Sequence, residues 1–314
     1  MQAIDCPDFP ADNYPITYDM KRLLDNWNPD VADIPPMHFN SICRFDYQTE
    51  LNKALNYRNA EKPFVVYNVP EVDEVVKKWS DLDYLNNLVG PHTNYHAETS
   101  NDNHFMYWRK KSKKLMDRLH FKPPTGKVPI SFADWLKVAV VNNNKTLVDR
   151  EHLYFRITAD KKDHYMFKEL PFFYPKESLF IVEPDKQRGI HCRFGMKSVI
   201  AENHYDGSRN YVASLGGMRR FILNHPDQCK DLYLYPLDHP SGRHSEVDWS
   251  KPDYEKFPRF ATSQANEIIT TPGDVLYLPT FWFHYIISLN VNFQCNTRSG
   301  KTDENKKVLK ECGF

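Results

Sequence analysis

From about residue 152 the chain becomes a succession of short β-rich runs broken by Pro, Gly and Asn, and this texture limits the folds open to it more than any other feature. The runs fall at 152–158, 178–182, 190–194, 199–206, 211–215, 218–223, 268–271, 275–278 and 283–297. Helical signals gather upstream. A helix is predicted near 47–57, a buried strand at 63–69, and two short helices at 71–78 and 82–88, the second stopped by Gly90-Pro91. Ser131 and Asp134 fit a capping box, and behind it Phe132, Trp135, Leu136, Ala139 and Val140 recur at helical spacing on one face. Strands at this spacing with helices on one side predict a mainly β protein, a barrel or sandwich with a helical flank. The expected division is a flank over 1–150, a β core over 151–300 and a short C-terminal helix within 301–314, forming one compact unit.

Composition excludes more than it identifies. The 314 residues carry 41 basic and 41 acidic side chains, so no global charge calls for nucleic acid or an anionic membrane. The one basic run, Arg109 to Lys114, is either a solvated face or a patch that steers an acidic partner. No segment reaches the ~18–20 apolar residues of a membrane span. The first seven residues lack the apolar core of a signal peptide, which points to a cytoplasmic or nuclear protein. The six cysteines are scattered without a Cys-x-x-Cys, and read as free thiols filling the core. Walker, dinucleotide-fingerprint and nucleophile-elbow motifs are missing.

Chemistry enters with His204-Tyr205-Asp206 and, 80 positions after His204, His284. Two imidazoles and a carboxylate can hold a non-haem Fe(II) on one face and leave other positions open. In a strand, residues i and i+2 share a face, so His204 and Asp206 can grip one ion where the backbone is extended. The bland reading is a hydrogen-bonded pair at a strand edge. His225-Pro226-Asp227 is a rival, but Pro226 puts it in a loop; His96-Ala97-Glu98 and His244-Ser245-Glu246 are look-alikes. The run Val291 to Arg298 alternates cleanly, its polar face facing either solvent or a ligand cavity.

An ordered series of segments then resembles a known family. It runs from Glu61-Lys62-Pro63-Phe64-Val65 through Gly195-Met196, His204-Tyr205-Asp206, Pro226-Asp227-Gln228, Leu234-Tyr235-Pro236, His239-Pro240 and Val247-Asp248. It continues through Pro252 to Pro258, then Pro272-Gly273-Asp274-Val275-Leu276-Tyr277-Leu278-Pro279, with Trp282 and His284. These resemble the JmjC/cupin oxygenases that use Fe(II), 2-oxoglutarate and O₂, most closely the asparaginyl hydroxylases acting on hypoxia-inducible factor. The resemblance implies a double-stranded β-helix (jelly-roll) core with His204, Asp206 and His284 as iron ligands. It implies no catalytic side chain beyond those ligands. It places Tyr154, Asn210 and Asn296 beside 2-oxoglutarate. Arg219 falls where the family has a lysine that pairs with the distal carboxylate, and Arg298 is a rival anchor on the last strand. Arg220 is expected at the surface. Ala201 stands where the resembled hydroxylase has a threonine, so one carboxylate contact is lost.

The implied reaction couples decarboxylation of 2-oxoglutarate to hydroxylation of a C–H bond, with a protein or peptide as substrate. Aromatic residues around His284 could dry the pocket or belong to the core. Alternatives are an N-methyl-lysine demethylase, a non-catalytic metal-binding scaffold, or a Zn- or Mn-loaded cupin. The short C-terminal helix replaces a longer dimerising tail, which favours a monomer or weak dimer.

Overall fold

A computed structural model describes residues 6–147 and 150–314; the start of the stretch read for a signal peptide, residues 1–5, lies outside them. The flank opens with β1 (Tyr18–Asp19), α1 (Met20–Asn26), β2 (Arg44–Asp46), α2 (Leu51–Asn59) and β3 (Phe64–Tyr67). It continues through α3 (Pro70–Trp79), α4 (Leu82–Val89), β4 (Asn94–Ser100), β5 (His104–Phe105) and α5 (Lys113–Arg118). After β6 (Thr125–Ser131), α6 (Phe132–Asn142), β7 (Leu153–Ala159) and the single turn α7 (Met166–Glu169) comes the core. Its strands are β8 (Ile190–Gly195), β9 (Ile200–Tyr205), β10 (Asn210–Gly216), β11 (Arg219–Asn224), β12 (Gln264–Thr270), β13 (Val275–Leu278), β14 (Phe283–Ser288) and β15 (Asn292–Arg298). Helix α8 (Lys306–Glu311) follows.

Strands of the flank and the core together build two sheets. One runs β1-β12-β11-β14-β9-β5 and the other β2-β3-β13-β10-β15-β8-β7-β4-β6. Strands β8, β10, β13 and β15 lie in the second sheet and β9, β11, β12 and β14 in the first, and the core pairings are antiparallel. This is the expected double-stranded β-helix. Gly217 makes the β10–β11 turn possible: it has φ +64°, and a Cβ there would collide with the Val291 carbonyl.

Period-two alternation decides what each strand offers to which side. On β7, β8 and β15, Phe155, Phe194 and Phe293 turn outward. There they meet Phe132 and Trp135 of α6, whose rings lie 5.4–6.2 Å from them and each other. Each fully buried aromatic of this layer stabilises by about 1.5–3 kcal/mol. Ser131 caps α6 by accepting from the Asp134 amide at 3.1 Å. The alternate residues of β7, β8, β10 and β15 face inward, and there the two sheets leave room for a site.

Several expectations need correction. Residues 178–182 form no strand; the Ser178 hydroxyl accepts from the amides of Phe180 and Ile181, holding a turn with a buried apolar tip. The run 283–297 is two strands, β14 and β15. Strands β4 and β6 went unread: β6 contains Gly126 and Pro129, tolerated because β6 is the sheet's edge. Val140 is 53% exposed, so the buried face of α6 is narrower than expected. Arg220 is buried, not surface: it pairs with Glu267 at 2.6 Å and donates to the Trp27 carbonyl at 2.8 Å.

The cysteines are not free thiols. All six pair, as Cys6–Cys43, Cys192–Cys295 and Cys229–Cys312. Folding brings together partners 37, 103 and 83 positions apart, which spacing alone cannot reveal. Among the described residues no helix is long and apolar enough to cross a membrane.

Candidate metal centre and its cavity

Strands β9 and β14 are antiparallel neighbours, and their register sets His204 directly opposite His284. Asp206 follows two positions after His204, just past the end of β9, on the same side. One donor atom from each of His204, Asp206 and His284 lies within 4.8 Å of the others. The structure thus brings the sequence-predicted triad together.

Each imidazole is fixed by the backbone carbonyl two positions before it. His204 Nδ1 lies 2.7 Å from the Glu202 carbonyl and His284 Nδ1 lies 3.1 Å from the Trp282 carbonyl. A carbonyl only accepts, so both Nδ1 atoms carry hydrogen and both Nε2 lone pairs point to the shared space. Burial, and then the neighbouring His284, hold the His204 pKa well below the usual histidine range. Burial also lowers that of His284, against the pull of Asp206. Burial would raise Asp206, but Arg298, His284 and His204 outweigh it and keep the carboxyl ionised. Two neutral imidazoles and one carboxylate form a donor set suited to a divalent first-row metal.

Asp206 is held at both oxygens. Arg298 donates to one at 2.8 Å, and Asn210 donates to the other at 3.1 Å. Asn296 in turn donates to Asn210 at 2.9 Å. The polar face of β15 therefore lines a cavity: Gln294, Asn296 and Arg298 are all on its wall.

That cavity, about 270 Å³, opens beside the triad. Ala201, Val212, Leu278 and Ile286 make its apolar side. Tyr154 reaches it, as expected, but Arg219 does not. Arg219 is buried behind Tyr154, donating to its hydroxyl at 3.0 Å, to the Arg193 carbonyl at 3.2 Å and to the Asn292 side chain. The alternation of β11 gave its face correctly, but not how far the side chain travels before other groups hold it.

The sequence reading missed the arginines that are on the wall. Arg156 shares the face of Tyr154 on β7, and Arg193 breaks the apolar run of β8. Arg156 pairs with Glu98, whereas Arg193 has no ion-pair partner among the described residues. Burial, then Arg156, push the Arg193 guanidinium down to about 9. Period-two spacing from Tyr154, and a charged residue between Cys192 and Phe194, were the signals available. His244 was also missed as a lining group; its ring stacks on His204 at 5.5 Å. By contrast, His225 accepts from the Asp227 amide at 3.3 Å and caps a local turn.

A double-stranded β-helix whose interior gathers two imidazoles and a carboxylate has the architecture of a cupin-type metal-binding protein. Residues 52–298 match the cupin-like domain family, and the chain belongs to that family. It is 31% identical over 138 residues to Lysine-specific demethylase 8 of Xenopus tropicalis, covering 41% of this chain and 30% of that protein. Over 121 residues it is 40% identical to tRNA wybutosine-synthesizing protein 5 of Gallus gallus, covering 38% and 34%. A longer match, 24% identical over 259 residues, joins it to Jumonji C domain-containing protein 5 of Drosophila melanogaster, covering 82% and 57%. The matches span less than two thirds of the length of each of these relatives.

Proposed function

We propose that this protein is an Fe(II)- and 2-oxoglutarate-dependent oxygenase that hydroxylates a protein side chain. The observation that carries the reading is the convergence of His204, Asp206 and His284 beside a cavity with a cationic wall. Iron, 2-oxoglutarate and O₂, when bound, would supply the oxidising chemistry, one oxygen atom of O₂ going to succinate, released with CO₂, and the other to the substrate; the rest falls to the chain's own residues. His204, Asp206 and His284 would hold the metal. Arg298 and Asn210 keep Asp206 ionised and aimed. For the distal carboxylate, Arg193 and the Tyr154 hydroxyl replace the expected Arg219, which instead orients Tyr154. A guanidinium fork matches a carboxylate with two parallel hydrogen bonds. Ala201, Val212 and Ile286 exclude water from the space between.

No side-chain acid or base is required, so positioning carries the work. A demethylase acting on a lysine cation fits less well, because the wall is lined with arginines that would repel it. The three disulfides favour an oxidising compartment over the cytoplasm or nucleus.

The test is direct. Purified protein given Fe(II) and 2-oxoglutarate should form succinate slowly without added substrate, and Asp206→Ala should abolish it while leaving the far-UV spectrum unchanged. Wild-type protein that binds metal but forms no succinate would instead identify a scaffold.

A further inference from the structure

The mouth of the cavity carries more positive charge than iron and a 2-oxo acid require. Arg109 and Arg243 line it together with Tyr107, and the same three residues border a second groove that adds Lys111 and His239. The groove is therefore continuous with the cavity. The Arg109 amide donates to the Pro240 carbonyl at 2.9 Å, which fastens the segment bearing Tyr107, Arg109 and Lys111 to the loop bearing His239 and Arg243.

Of the two arginines Arg243 is the one held in place, while Arg109 is exposed. Arg243 sits in the left-handed backbone region at φ +79°, unusual for a residue with a side chain. It donates to the Tyr205 carbonyl at 3.3 Å and covers the Tyr205 ring at 5.7 Å. Arg109 lies 5.9 Å from the Tyr107 ring. Neither has a carboxylate within 4 Å among the described residues; Asp206, the acid inside the cavity, is already bonded to Arg298 and Asn210. Asp238, the acid of the 236–244 loop, does not line the groove.

Resting on the oxygenase reading of the same site, we infer that the substrate is a carboxylate-rich peptide segment, which Arg109, Arg243 and Lys111 hold while one residue enters the cavity. Guanidinium forks grip carboxylates in defined geometry, so they orient the chain as well as attract it. Phosphodiester chains share the charge but not the setting. Proteins that read nucleic acid carry a broad basic footprint, whereas this chain balances 41 basic against 41 acidic residues and concentrates three cations at one opening. A lysine-rich or arginine-rich peptide would meet like charge along the whole approach.

Fluorescence anisotropy on the full, metal-free chain tests this without requiring turnover. The probes are fluorescein-labelled decapeptides of matched length, glutamate-rich, glutamine-rich and lysine-rich, with a single-stranded DNA decamer. The glutamate-rich peptide should bind at least about tenfold tighter than either other peptide, and lose that advantage in 0.5 M salt, where the screening length is only a few ångström. Arg109→Gln and Arg243→Gln should each weaken it by about three- to tenfold, with partial recovery in Arg109→Lys and Arg243→Lys. Equal binding of the lysine-rich peptide, tighter binding of the DNA, or unchanged binding in both glutamine variants overturns the inference. Succinate formation by the wild-type protein is measured separately: its absence ends the oxygenase reading, while the peptide panel judges the acidic-substrate claim alone.

Discussion

Of Arg193 and Arg219 only the first lines the cavity, and that decides which one a ligand meets. Arg193 is on the cavity wall without an ion-pair partner, while Arg219 has three protein acceptors. Arg193→Leu should therefore weaken 2-oxoglutarate binding by about 2–5 kcal/mol, measured by calorimetry with Mn(II) in place of iron. Arg219→Leu should weaken it less and lower thermal stability more, since it strands Tyr154 and Asn292. The reverse order would return the anchor to Arg219. The convergence of the triad was legible in the sequence because His204 and Asp206 need only a local extended backbone, and the ordered motifs supplied His284. Arg193 was not legible, because its role depends on where β8 stands across the cavity from β9. The same limit hid Arg220. Its partner Glu267 lies 47 positions away, on β12, and both are fully buried. Glu267→Ala should cost about 3–5 kcal/mol in denaturant unfolding, because it leaves an uncompensated buried guanidinium.

At the scale of elements, β5 shows how the flank is tied to the core. His104 on β5 lies 2.5 Å from Glu202 on β9 and 3.5 Å from Asp30 in the N-terminal segment. Burial alone would lower its pKa, but the hydrogen bonds to Asp30 and Glu202 prevail and raise it to about 10. A folded value above the unfolded one, ~6.5, makes protonation stabilising. That contribution is complete below about pH 6.5 and disappears as pH climbs toward 10. Asp30 behaves oppositely. Burial raises it, but His104 and Asn103 bring it down to about 2, so its share holds above ~pH 4 and is lost as pH falls toward 2. Unfolding midpoints across pH should show a plateau near pH 4–6.5, and His104→Gln should flatten the alkaline slope. An unchanged slope would remove His104 from the account. Elements with strong local periodicity, α3, α6 and the inner core strands, were legible. Those that owe their form to neighbours were not: β4 and β6 become strands by pairing with each other along seven residues.

The whole molecule is closed by covalent links that no local pattern announced. Unreduced protein denatured in guanidinium should show no titratable thiol, and full reduction should lower stability by about 2–5 kcal/mol per lost bridge at most. Six reactive thiols in the unreduced sample would refute the pairing and restore an interior of free cysteines. Cys229–Cys312 fastens the segment after β11 to the residue that follows α8, so reduction should also make the C-terminal helix an early target for protease.

Cys192–Cys295 has a different reach. It joins facing residues of β8 and β15, one position from Arg193 and from Gln294 and Asn296, whose side chains project the other way into the cavity. The bridge is a rivet on the reverse of the cavity wall, and it fixes the separation between a guanidinium and the amide that steadies Asp206 through Asn210. If the cavity takes a dicarboxylate, as proposed, grip on it is tied to the oxidation of two sulfur atoms that never touch it.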